Sequence, residues 1–192
     1  MKKIFDPPGG FLIWLVLCTE FATFSALIII LLVFRSNNLE LYQAEANHLL
    51  LYDGMVLTLS LLTSGFFAAE GVRSYFSKKL KACKVWFTLS ILSGAFFLVY
   101  KYIDYQQKVE VGLTLDKNDF WMYYWLITGF HFVHVVIGVF ILSFILYGVS
   151  KKIISDSNFT VRGGVLFWHM CDAIWLLLFP LLYVLKGGGI NG

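Results

Sequence analysis

Residues 120–147, FWMYYWLITGFHFVHVVIGVFILSFILY, contain no Asp, Glu, Lys or Arg, and this stretch decides the fold class. An apolar α-helix needs about 20 residues to cross a bilayer. Four other long stretches carry almost no charge: residues 11–34, 54–76, 85–100 and 163–185. The whole chain has 59% hydrophobic residues, 14% charged residues and a mean hydropathy of +0.76. This composition and the five stretches together predict an all-α, polytopic membrane protein with a bundle of five transmembrane helices.

We place the five helices at about residues 11–34, 54–76, 84–103, 120–148 and 163–185 of a single membrane domain, residues 1–192. The third apolar stretch is the shortest, and we expect the side chains of Lys84 and Lys101 to snorkel from its ends to the lipid headgroups. The first helix is not interpreted as a cleavable signal peptide, because its apolar run is about twice the length of a signal h-region.

The positions of Lys and Arg predict the orientation. Ten of the 15 basic residues precede the first helix or lie in, or at the helix ends beside, the loops between the second and third and between the fourth and fifth helices. Short cytoplasmic loops are enriched in basic residues, so we expect a cytoplasmic amino terminus and a periplasmic carboxyl terminus in a bacterial inner membrane. The basic pI of about 8.7 follows from this asymmetry, and the sequence indicates no nucleic-acid partner.

Six acidic or histidine side chains lie inside the predicted helices, where a charged group is costly and usually marks a functional position. The two histidines of the fourth helix are three residues apart, and so are the His and Asp of the fifth, so each pair shares one helix face. The six residues are Glu20, Glu70, His131, His134, His169 and Asp172.

Three interpretations of these residues stay open. The first is a metal or haem site, but a rise of 1.5 Å per residue separates His134 and His169 by about 12 Å in depth, so we predict no metal ligand set. The second is a buried polar network of His131, His134, His169 and Asp172, since histidines often bond a carbonyl or carboxylate of a neighbouring helix. The third is proton handling or lipid binding by the intramembrane carboxylate Glu20.

Four further residues are candidates for contacts with lipid or at an interface: Glu70, Arg73, Trp168 and Trp175. The first two are three residues apart near the cytoplasmic end of the second helix and are predicted to form an ion pair there. The sequence indicates no catalytic residue.

Several segments resemble a known family. Residues 128–138, TGFHFVHVVIG, and residues 167–176, FWHMCDAIWL, are similar to two helix signatures of subunit III of the haem–copper (cytochrome c) oxidases. Glu20 matches the intramembrane carboxylate of that family, which reacts with carbodiimide, and KYIDY at residues 101–105 resembles its Glu-Tyr element. The resemblance covers nearly the whole chain and implies a bundle of the subunit III type.

Details of the sequence point to one branch of this family. Five helices are typical of quinol oxidase subunits and of NorE-type proteins associated with nitric oxide reductase, and residues 118–124 and 177–184 are similar to the latter. Phe132 between the two histidines, and Asp104 where oxidases carry Glu, also favour the NorE type. The alternative is subunit III of a quinol or cytochrome c oxidase proper.

The resemblance implies a non-catalytic accessory subunit that supports assembly, lipid binding, and turnover stability or proton uptake of a large catalytic subunit. Haem, with copper or non-haem iron, is then expected in that partner, while this chain binds phospholipid and no cofactor of its own. A stand-alone small transporter or a cytochrome-b-like protein is the alternative from another class. A transporter would often show interrupted helices or an internal repeat, and neither is evident.

Overall fold

The computed structural model describes residues 10–151, 153 and 158–186 and shows an all-α membrane bundle. Five of its helices are long and apolar enough to cross a membrane, so the predicted number of spans and the fold class are confirmed. In chain order the elements are α1 (Phe11–Asn37), α2 (Leu39–Ala46), α3 (Leu51–Phe76), α4 (Leu80–Glu110), α5 (Asp119–Ser150), α6 (Asn158–Phe179) and a π-helical segment (Pro180–Val184).

The helices run further than the charge-free stretches at most ends. The largest extension is in α4, which continues to Glu110 and carries three charged residues on one face. The segment α2 was not predicted, because its sequence LELYQAEA is too short and too polar to give a membrane signal. It is held on the bundle by Tyr42, whose hydroxyl donates to the Leu181 carbonyl at 2.7 Å.

The π-helical segment begins at Pro180 and shapes the end of the last span. Proline has no N–H and cannot donate the next α-helical hydrogen bond. The chain continues as a wider turn, in which the Leu185 N–H donates to the Pro180 carbonyl at 2.8 Å. This turn buries Tyr183 in the bundle.

Two tryptophans of α6 fill the centre of the bundle. Trp168 and Trp175 are 0% and 1% exposed, so the expected contact of these side chains with lipid or an interface is wrong. Trp168 is accommodated by glycines on the facing helices: a Cβ on Gly138 would lie 2.5 Å from its Cε3, and one on Gly94 2.8 Å from its Cη2. The Trp175 Nε1 donates to Thr58 Oγ1 at 3.0 Å.

The first span lies at the edge of the bundle. In the most apolar part of this span 17% of the residues are buried, whereas in the most apolar part of Phe159–Val184 61% are buried. It packs on α5 and α6, with Phe24 and Leu31 among its buried residues. The other four spans therefore form the core, and α1 is attached to it.

Candidate functional site

Three charged residues of α4 form a buried cluster near the carboxyl end of that helix. Lys101, Asp104 and Lys108 follow each other at spacings of three and four residues, which places them on one helix face. They are 1%, 5% and 7% exposed. The Lys101 Nζ lies 2.8 Å from Asp104 Oδ2, and the Lys108 Nζ donates to Asp104 Oδ1. The cluster holds two cations and one anion.

Aromatic side chains surround the Lys101 ammonium. It donates to the hydroxyls of Tyr124 at 2.8 Å and Tyr183 at 3.2 Å, and lies 4.7 Å from the ring centroid of Tyr105. A buried cation is tolerated only when it is paired and hydrogen-bonded. These contacts meet that condition and tie α4 to α5 and to the π-helical segment.

The expectation that Lys101 snorkels to the headgroups is therefore wrong. Its side chain points into the protein because Asp104 and two tyrosine hydroxyls offer more hydrogen bonds there. The signal for this cluster was present in the sequence, as charges at positions 101, 104 and 108 with tyrosines at 105 and 124.

The intramembrane carboxylate Glu20 lies beside His134. The His134 Nδ1 is 2.8 Å from the Phe130 carbonyl, which can only accept, so Nδ1 carries a hydrogen. The His134 Nε2 lies 3.0 Å from Glu20 Oε2, at ion-pair distance, although the two groups are not aligned for a hydrogen bond. Attraction between them requires one further proton, on the carboxyl or on Nε2. This pair joins α1 to α5 through ionisable side chains.

The other residues of the expected polar network do not join this pair. His131 is fully buried and its Nε2 lies 3.1 Å from the Cys171 carbonyl. The His169 Nδ1 lies 3.2 Å from Asp172 Oδ2 on the same helix. The described residues thus hold separate contacts at three places in the bundle.

The His169–Asp172 pair lies against α3. A Cβ on Gly65 would overlap Asp172 Oδ2, so the glycine makes room for the carboxylate. The Asp172 side chain is 8% exposed and that of His169 is 41% exposed. The pair therefore spans the boundary between the bundle interior and its outer surface.

Two ion pairs lie near the ends of the spans. Arg73 Nη1 is 3.3 Å from Glu70 Oε1, with the Arg73 side chain 77% exposed. At the opposite end of the bundle, the Glu45 carboxylate accepts from Lys117 Nζ and Asn118 Nδ2 at 2.8 Å and from Trp121 Nε1 at 2.7 Å. Partial burial alone would raise the pKa of Glu45, but these donors outweigh it and hold the pKa below its usual value.

Among the described residues, no group of three or more His, Cys, Asp or Glu side chains could hold a metal ion. The buried histidine nitrogens that have partners face a carbonyl or a carboxylate. The Glu20–His134 and His131–Cys171 contacts join neighbouring helices, and the His169–Asp172 contact lies within α6.

Comparison with known proteins agrees with the resemblance seen in the sequence. The family model for cytochrome c oxidase subunit III matches residues 18–186. Cytochrome c oxidase subunit 3 of Corynebacterium diphtheriae is 30% identical over 146 residues, which cover 76% of this chain and 71% of that protein. Quinol oxidase subunit 3 of Bacillus subtilis is 28% identical over 137 residues, 71% of this chain and 67% of that protein. Cytochrome c oxidase subunit 3 of Thermostichus vulcanus is 28% identical over 183 residues, 92% of this chain and 86% of that protein. The chain therefore belongs to the cytochrome c oxidase subunit III family.

Proposed function

We propose that this chain is a non-catalytic accessory membrane subunit of a respiratory complex of the haem–copper oxidase superfamily. It supports assembly of the large catalytic subunit and its turnover stability or proton uptake. The observation that carries the proposal is the family match over residues 18–186, which includes both segments with paired ionisable residues. Haem, and copper or non-haem iron, belong to the partner in this proposal, and this chain contributes a surface for phospholipid.

The geometry supports an accessory role. Glu20 and His134 face each other, as do His169 and Asp172. His131 faces a backbone carbonyl. The Glu20–His134 and His131–Cys171 contacts join neighbouring helices, which suits a subunit that stabilises a neighbour.

Two kinds of partner are consistent with this function. Relatives are named as subunits of cytochrome c and quinol oxidases, which favours an oxygen-reducing partner. Phe132 and Asp104 favour the NorE type and a nitric oxide-reducing partner. The structure places the Phe132 ring against Tyr105, with 5.8 Å between centroids, so this substitution adjoins the residues that surround Lys101. We propose the NorE type as the first candidate and oxidase subunit III proper as the second.

Co-purification tests the function and separates the two partners. The full chain, tagged at one terminus and expressed in its own host, is extracted in mild detergent, and the largest co-purifying protein is identified by mass spectrometry. We expect a large haem-containing subunit, and consumption of nitric oxide or of oxygen by the complex identifies the branch. A chain that purifies alone, while the host's haem–copper complexes lack it, would overturn the proposal.

The orientation is also proposed from the distribution of basic residues, with the amino terminus in the cytoplasm. Fusion of alkaline phosphatase and of green fluorescent protein to the carboxyl terminus tests it. We expect an active phosphatase and a dark fluorescent protein, and the reverse result would invert the topology.

A further inference from the structure

A groove between α3 and α6 opens on the outer surface of the bundle. It is lined by the small residues Gly65, Ala69 and Ala173 and by larger apolar side chains. Among the latter, Phe66 is 59% exposed and Leu176 is 44% exposed. Small residues allow the backbones of transmembrane helices to approach closely. The shape and composition of this surface therefore suit a packed helix.

The polar pair of α6 lines the same groove. Nδ1 of His169 lies 3.2 Å from Asp172 Oδ2. No described residue forms a hydrogen bond with the other ring nitrogen of His169, Nε2. The second oxygen of Asp172, Oδ1, is buried and also has no hydrogen-bond partner among the described residues. A half-exposed histidine on a membrane span is costly in lipid, and such groups usually face protein or water. His169 Nε2 thus gives the groove a hydrogen-bonding group that no described residue satisfies.

The depth of His169 in the membrane determines which kind of molecule could hydrogen-bond its Nε2. His169 lies about 10 Å along α6 from Arg162, the charged residue just before the apolar span, at 1.5 Å per residue. A lipid headgroup stays at the membrane surface, and the acyl chains that reach this depth carry no hydrogen-bonding group. A transmembrane helix offers both an apolar face for the groove and a polar side chain at the level of His169.

We infer that the α3–α6 groove is the docking site for a transmembrane helix of the large catalytic subunit, which presents a polar side chain to Nε2 of His169. This inference rests on the proposed function, since it names the surface through which the accessory subunit binds its partner. The donor or acceptor role of Nε2 follows the protonation of the imidazole, so Ser, Thr, Asn or Gln on the partner helix would complement either form.

Site-specific photo-crosslinking in the intact complex tests the location. Phe66 in the groove and Phe140 on α5, which is 70% exposed and does not line the groove, are each replaced by p-benzoyl-phenylalanine. We expect irradiation to join the chain to the large subunit from position 66, and position 140 to capture mainly lipid. The docking site is overturned if the complex co-purifies but position 66 captures only lipid, whatever position 140 captures. If no large subunit co-purifies even with the wild-type chain, the proposed function fails first, and this inference with it.

Substitution of His169 tests the polar contact. His169→Phe keeps an aromatic ring but removes Nε2, and we expect about three- to tenfold weaker retention of the large subunit, as for the loss of one interhelical hydrogen bond. His169→Gln places an amide near the same position and should restore most of the retention. His48→Phe, an exposed histidine outside the groove, is the control and should leave retention unchanged. Full retention by His169→Phe would overturn the contact.

Discussion

Asp104→Asn is the sharpest test of the buried cluster on α4. The substitution preserves the shape of the side chain but removes the one negative charge that Lys101 and Lys108 share. Two cations, 1% and 7% exposed, would then face each other without a counter-charge. Breaking a buried ion pair by removing one partner costs about 3–5 kcal/mol.

The asparagine oxygen can still accept from one lysine, so we expect the lower end of that range, about 3 kcal/mol, or a more than hundredfold lower ratio of folded to unfolded chain. This is several times the roughly 0.6 kcal/mol of an average interhelical hydrogen bond in a membrane protein. The free energy of unfolding is measured on the purified chain in mixed micelles by titration with sodium dodecyl sulfate, followed by tryptophan fluorescence.

Glu110→Gln is the matched control, because it is the same change from carboxylate to amide on an exposed position of the same helix. It should alter the free energy of unfolding by no more than about 0.5 kcal/mol. If Asp104→Asn is as stable as this control, the negative charge is not needed to stabilise the cluster, and the reasoning is refuted.

Three further predictions concern other parts of the chain. Glu20→Gln should assemble normally and lose labelling by a hydrophobic carbodiimide; unchanged labelling, measured by mass spectrometry, would place the reactive group elsewhere. Gly138→Ala should destabilise the bundle by about 1–3 kcal/mol in the same unfolding titration, because the added Cβ would meet the Trp168 ring. Gly129→Ala, which has open space, should be neutral or slightly stabilising, and equal effects of the two would contradict the packing argument. The pKa of Glu45 is lowered in the folded chain, so its contribution to stability is present above its unfolded pKa of about 4.3 and is lost as pH falls through the folded value; Glu45→Gln should flatten the dependence of stability on pH in this range, and an unchanged slope would argue against it.

The number of spans could be predicted from the sequence, because charge-free stretches report directly on membrane crossing. The pairing of Glu20 with His134 could not, since it depends on which face of α1 packs on α5, and hydropathy carries no information on lateral packing. Lys101 was misjudged for a related reason. A lysine at the end of an apolar stretch has the same sequence signal whether it turns to the headgroups or into the protein.

The attachment of α1 at the edge of the bundle has a consequence for biosynthesis. This helix is synthesised before α5 and α6, which carry the surfaces on which it packs. During the interval the Glu20 carboxyl has no His134 beside it and must be sheltered by lipid, water or an insertion factor. The contact between Glu20 and His134 can therefore form only after α5 has been made.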